Sequence, residues 1–240
     1  MSVQGPLLRS DERISRALVH PDRTGELLSD LGNVQVAVVA LVLVAAWAAW
    51  RGRGAGDARW WVPPVAALCL MALVPLIVVP LKEWIDRPGT PVVPPATGYY
   101  PSGHTTTAAV AYGSAVLLLL PWLRTAPARR TAVALGAILV LAVSFGLVRR
   151  GYHWPLDVVA GWCLGAVLLG VLWIFLERER ERERGRDRES DGEREREGLG
   201  AGVGRSRQTG AHQPSTRTTR TSAPSASRPY RGARKPQDTP

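Results

Sequence analysis

Five apolar runs, each long enough to cross a bilayer as a helix, lie between Asn33 and Leu176. They extend from Asn33 to Trp50, and from about Val62 to Leu81, Thr105 to Leu123, Thr131 to Val148 and Leu156 to Leu176. At ~1.5 Å per residue, about 20 apolar residues cover the ~30 Å hydrocarbon core. Five such runs in succession are foreign to a soluble core, so the expected fold is all-α, a polytopic membrane helical bundle with about five transmembrane helices. Trp47 and Trp50, followed by Arg51 and Arg53, close the first run with the aromatic and basic anchors of an interface. Pro63, Pro64, Pro75 and Pro80 would disturb the second helix. Membrane helices tolerate proline where neighbours satisfy the freed carbonyls.

The runs divide the chain into three expected parts. Residues 1–32 form a polar arm in which Arg9, Arg13, Arg16 and Arg23 alternate with Asp11, Glu12, Asp22, Glu26 and Asp30. Both an amphipathic helix on the membrane surface and an exposed soluble arm fit this pattern. No cleavable signal peptide is expected there. Residues 33–176 form the membrane-embedded domain. Residues 177–240 form a charged tail that is largely disordered: the Glu-Arg run to about Glu197 can prolong the fifth helix through i,i+4 ion pairs of about 0.2–0.5 kcal/mol each, but nothing apolar remains beyond Gly198.

The net charge of +10 is dispersed over loops and tail without interleaved aromatics, which argues against a nucleic-acid partner. Cys69 and Cys163 lie inside apolar runs and read as small hydrophobes, so neither a disulfide framework nor a cysteine metal site is expected. Loop charges set the orientation. Arg51, Arg53 and Arg59 in one loop and Arg124, Arg129 and Arg130 in another fall on one side, which the positive-inside rule assigns to the cytoplasm, with the tail. The loops at 82–104 and 149–155 then face outward.

Those outer ends carry the chemistry. His153 and Asp157, four residues apart at the start of the fifth helix, can share one face, and a carboxylate on one ring nitrogen leaves the other as nucleophile or base. By itself such a pair is equally well a structural capping interaction. Pro101-Ser102-Gly103-His104 opens the third helix, where Ser102 suits an N-cap and the free first-turn amides favour an anion. Lys82 and Arg87 close the second helix. Either could simply snorkel, and together they could grip a phosphate. Convergence of all three groups on one membrane face is what favours a site. Two of the four histidines in the chain fall there.

The order Lys82, Arg87-Pro88, then Pro101-Ser102-Gly103-His104, then His153-x3-Asp157 resembles the type-two phosphatidic acid phosphatase superfamily, in its bacterial membrane-bound branch. That superfamily includes undecaprenyl-diphosphate phosphatases and, as a soluble branch, vanadium haloperoxidases. The resemblance implies a hydrolase acting on a lipid phosphate or diphosphate without metal or cofactor. It implies His153 as the nucleophile that becomes a phosphohistidine, Asp157 as its orienting group and His104 as the acid for the leaving oxygen. Lys82, Arg87, Ser102 and the Gly103 amide would hold the phosphate. The chain departs from the usual pattern in two places: Gly89 stands where the first motif has arginine, and Leu147 where the third does. Arg149 is the expected substitute for the second. The usual first of six spans has no counterpart.

Two other classes compete. One is a catalytically silent membrane protein of the same fold that binds a phospholipid or scaffolds a partner. The other is a transporter, disfavoured because no ionisable group marks the midplane of the spans.

Overall fold

The computed structural model describes residues 6–94 and 98–209. The chain divides into two compact units, Met1–Gly185 and Arg186–Pro240. Among the described residues the first unit contains α1 (Pro6–Leu18), α2 (Arg23–Asp30), α3 (Val34–Ala55), α4 (Val62–Ile85), α5 (Gly103–Leu119), a 3-10 turn at Leu120–Trp122 and α6 (Ala126–Arg149). It also holds the first part of α7 (Pro155–Thr209), and the described residues of the second unit continue that helix. Among the described residues five helices are long and apolar enough to span a membrane, namely α3, α4, α5 with its 3-10 turn, α6 and α7. The expected five-span, all-α membrane bundle is therefore the fold observed.

The middle helix is the most enclosed. α5 packs against α3, α4 and α6, and small residues along it, among them Ala108, Ala109, Ala111 and Ala115, let those neighbours approach. Leu41, Ala67, Leu70, Val74, Val110, Leu168 and Leu172 belong to the main core, and Ala108, Tyr112, Val143 and Leu147 form a second cluster. Outward faces stay apolar: Leu43, Leu76, Ile138, Val167 and Val171 are exposed, as a lipid-facing surface requires. α4 runs on through Pro75 and Pro80.

Helices outlast the apolar runs that announced them. α4 continues four residues beyond Leu81, to Ile85, and its last turn presents Lys82. Asp86 then adopts the left-handed conformation with φ 50°, which a short polar side chain tolerates, and turns the chain toward Arg87. The longest overrun is at the other end. α7 carries the Glu-Arg run, supported by Arg180–Glu177 at 3.2 Å and Arg182–Glu179 at 2.7 Å. The helix extends to Thr209. Propagation from an established helix needs no new nucleus, which is the available reason. The rest of the tail, 210–240, lies outside the described residues.

At one end of the bundle Trp47 meets Trp122 at 6.1 Å, Arg51 stacks over Trp122 at 5.4 Å, and Arg59 pairs with Glu179 at 2.7 Å. The basic loops thus share that end with the start of the charged run. The motif residues lie at the opposite end.

The N-terminal arm forms two helices, α1 and α2, that contact α6. Asp11, Ser15 and Ser29 are buried. Two glycines let α2 lie directly on α6. A Cβ at Gly146 would stand 2.6 Å from the Ser29 amide nitrogen and 2.8 Å from the Gly25 carbonyl oxygen. Both are backbone atoms that cannot swing aside. Gly146→Ala is therefore expected to push α2 outward, costing about 1–3 kcal/mol as overpacking does, and thermal unfolding in detergent would register it. An unchanged midpoint would mean that α2 does not pack there. Tyr112 anchors the end of this arm by donating its hydroxyl to the Leu31 carbonyl at 2.6 Å.

Candidate active site

Four local features bring the motif residues together. The first is the end of α6, where Gly151 takes φ 73° and the Gly151 and Tyr152 amides donate to the Val148 and Leu147 carbonyls, both at 2.9 Å. This left-handed glycine stop reverses the chain within three residues and delivers His153. The second is the start of α7, where the Trp154 amide donates to Asp157 Oδ2 at 3.2 Å. Asp157 Oδ2 also lies 3.4 Å from His153 Nδ1, and both residues are buried. The third is the start of α5. Ser102 caps it by accepting from the Thr105 amide at 3.3 Å, and its own amide donates to the Asp157 carbonyl at 3.0 Å. The fourth is the segment after α4, held to the α6–α7 turn by a Thr90 hydroxyl donating to the Gly151 carbonyl and by Trp154 Nε1 donating to Pro88 O at 3.2 Å.

These features enclose a cavity of about 390 Å³ lined by Lys82, His104, His153 and Tyr99, with Asp30 and Asn33 from the α2–α3 connection. The Tyr99 ring stands edge-on to His153, with centroids 6.1 Å apart. Three of the residues singled out from sequence, Lys82, His104 and His153, thus come from three separate helix ends to one chamber. Asp157 sits behind His153 and is fully buried. With its Nδ1 beside the carboxylate, the imidazole has Nε2 left to act as a nucleophile.

The remaining expected phosphate ligands are placed otherwise. Arg87 does not line the cavity. It bridges two buried carboxylates, with Nη1 at 2.5 Å from Asp157 Oδ1 and Nη2 at 2.6 Å from Asp11 Oδ2. Asp11 in turn accepts from the Leu156 amide at 2.9 Å. The guanidinium, expected to grip a ligand, is taken up within the protein. The Ser102 hydroxyl is likewise engaged, in the cap of α5 and with the Thr105 hydroxyl at 3.0 Å. Gly103 lies beside Lys82, whose Nζ would be 3.9 Å from a Cβ at that position.

Arg149 makes a forked contact to Asp22, from Nε at 2.9 Å and Nη2 at 2.7 Å. Asp22 also caps α2 by accepting from the Gly25 amide at 2.7 Å. The Arg149 hydrogen bond first, and the Gly25 amide second, hold the Asp22 carboxyl below the ordinary carboxylate range. The reason Arg149 misses the cavity is helical phase. α6 runs to Arg149, and two residues on a helix turn through about 200°, so with Leu147 on the cavity wall Arg149 faces away. Arg150 donates to the Tyr152 hydroxyl at 3.1 Å. Gly89, the other departure, leaves room for an aromatic ring: a Cβ there would lie 2.6 Å from Tyr99 Cε2. Lys82 is the one lysine or arginine among the described residues lining the cavity.

Three participants were not read from sequence. Asp11 had no motif around it. Asn33 and Asp30 were counted as the edge of a span and part of an arm, yet Asn33 Oδ1 lies 3.2 Å from His104 Nε2 and Asn33 Nδ2 lies 3.1 Å from Asp30 Oδ1. An asparagine directly before an apolar run at the site-bearing end was the available signal.

Fold and cavity together define a multi-pass membrane protein with a two-histidine, one-lysine chamber at one end of its bundle. The family model of the PAP2 superfamily matches residues 63–181, a segment carrying every motif described, and the chain belongs to that superfamily. Its fold is similar to the crystal structure of the first transmembrane PAP2-type phosphatidylglycerolphosphate phosphatase from Bacillus subtilis. The TM-score is 0.62 at 25% identity, over 74% of this chain and 90% of that one. It is also 46% identical over 74 residues to an undecaprenyl-diphosphatase of Sulfolobus acidocaldarius, a match covering 30% of this chain and 32% of that relative. The chain thus spans about a third of that relative's length.

Proposed function

We propose that the protein is a membrane phosphatase that removes phosphate from a phosphatidate-like or undecaprenyl-diphosphate-like lipid through a phosphohistidine intermediate. The observation carrying this reading is one cavity shared by His153, backed by buried Asp157, with His104 and Lys82. His153 Nε2 attacks phosphorus while Lys82 offsets charge on the phosphoryl oxygens and His104 protonates the leaving oxygen. Water then releases phosphate from His153. Arg87 acts behind the site by holding Asp157, and the Gly103 amide at the start of α5 is a further phosphate donor. Both named relatives are phosphatases of phosphorylated lipids, which supports the substrate class. By the loop charges, the site faces outward and the tail the cytoplasm.

One observation favours a silent lipid-binding protein of the same fold. Arg87 and Arg149 are both paired internally, so that among the described residues Lys82 is the one lysine or arginine lining the cavity. Phosphate release by the purified chain in detergent, with chelator present, separates the two. Turnover of phosphatidate or undecaprenyl diphosphate is expected. A folded protein that turns over neither would establish the silent reading.

A further inference from the structure

Asn33 stands at the N-cap of α3, where an asparagine side chain normally accepts from an amide of the first turn. It makes no such bond. Its side chain is turned instead toward Asp30 and His104, at 3.1 Å and 3.2 Å. Chemistry fixes how it is turned. An ionised carboxylate only accepts, so the Asn33 amide nitrogen faces Asp30 and its carbonyl oxygen faces His104. That oxygen also only accepts, so His104 Nε2 carries a hydrogen. Asp30, Asn33 and His104 line the same cavity as His153 and Lys82.

We propose that Asn33, oriented by Asp30, is a positioning residue that holds His104 with a proton on Nε2 and leaves Nδ1 as the nitrogen that exchanges protons with the leaving group. This rests on the phosphatase reading. In the first step the bond from His153 Nε2 to phosphorus forms and the phosphorus–oxygen ester bond breaks. The departing electron pair stays on the leaving oxygen, which takes the Nδ1 proton of cationic His104. Neutral His104 keeps its Nε2 hydrogen on Asn33. In the second step Nδ1 takes a proton from the attacking water, the phosphorus–nitrogen bond breaks, and the electron pair returns to His153. Lys82 and His153 are the other basic groups around His104 in the cavity, and Asp30, behind Asn33, supplies the carboxylate that offsets the cationic ring.

Asn33→Ser separates this role from a structural one, because serine is a favourable residue at the start of α3 but is too short to reach His104. The test compares an alkyl phosphate, phosphatidate in detergent, with nitrophenyl phosphate, whose leaving group departs without a proton. General acid catalysis contributes about 10²–10⁴-fold, so turnover of the alkyl ester is expected to fall on the order of 10- to 100-fold. Aryl turnover should change little, and the double variant Asn33→Ser with His104→Ala should be no slower on the alkyl ester than His104→Ala alone. Should Asn33→Ser not fold, Asp30→Asn is expected to show the same selectivity with a smaller loss. Equal loss on both esters, no loss on either, or effects that multiply with His104→Ala would overturn the proposal alone. A wild-type chain inactive on both esters would overturn the phosphatase reading and the proposal with it.

Discussion

His153→Ala is expected to lower lipid phosphate turnover on the order of 10³-fold or more, because in the proposed mechanism it removes the atom that holds the phosphoryl group between the two steps. The geometry explains why no neighbour replaces it. His153 is buried, its Nδ1 is committed toward Asp157 at 3.4 Å, and Tyr99 stands edge-on to the ring. His104 belongs to a different helix and is engaged through Nε2. Removing His104 should therefore stop or slow ester cleavage without creating a second nucleophile. Asp157→Asn should cost about 10²–10⁴-fold, since an amide in place of the carboxylate loses the charge that steadies the imidazole. The direct measurement is labelling with a phosphorus-labelled substrate, quenched in alkaline detergent. An acid-labile, base-stable phosphoryl adduct is expected on the wild-type chain and on no chain lacking His153. Undiminished phosphate release from His153→Ala would refute the covalent mechanism.

How far the sequence carried this site depends on which residues obey local rules. His153 and Asp157 are four apart on one helix start, so their pairing follows from helical geometry alone. The common end of Lys82, His104 and His153 follows from counting spans, because alternation puts every second helix end on one face. Arg149 failed for a traceable reason. The apolar run suggested an end at Val148, which leaves Arg149 in a loop free to point anywhere, but α6 includes Arg149 and fixes its direction. Extending the helix by one residue would have placed it opposite Leu147. Arg87 was illegible in a different way. Its partner Asp11 lies 76 residues earlier, in an arm whose docking depends on Gly146 and Gly25 rather than on any apolar stripe. Asn33 combines both problems, since its position predicts a cap and its tertiary contacts redirect the side chain.

The bridge made by Arg87 carries the largest expected effect on stability. Its side chain is 15% exposed, Asp11 1% and Asp157 0%, and each carboxylate receives one guanidinium nitrogen. Removing the cation leaves two negative charges with little water, and breaking a buried ion pair in this way costs about 3–5 kcal/mol. Arg87→Ala is thus expected to lower Tm by roughly 10 °C on the scale of a domain this size. Arg87→Lys should rescue little, because a single ammonium on a flexible stem cannot span two carboxylates as the planar fork does. Asp11→Ala should cost less. It leaves Arg87 on Asp157 and chiefly unpins α1, so cleavage by protease within residues 6–18 should rise before activity falls. The same variants separate bridging from ligand binding. If Arg87 instead left its carboxylates to grip substrate phosphate, Arg87→Lys would raise KM while Tm stayed put. Bridging requires the reverse, a lower Tm with an unchanged KM for the fraction that remains folded. A buried arginine shared between the N-terminal arm and the carboxylate behind the proposed nucleophile therefore makes docking of the arm a condition for His153 being correctly held.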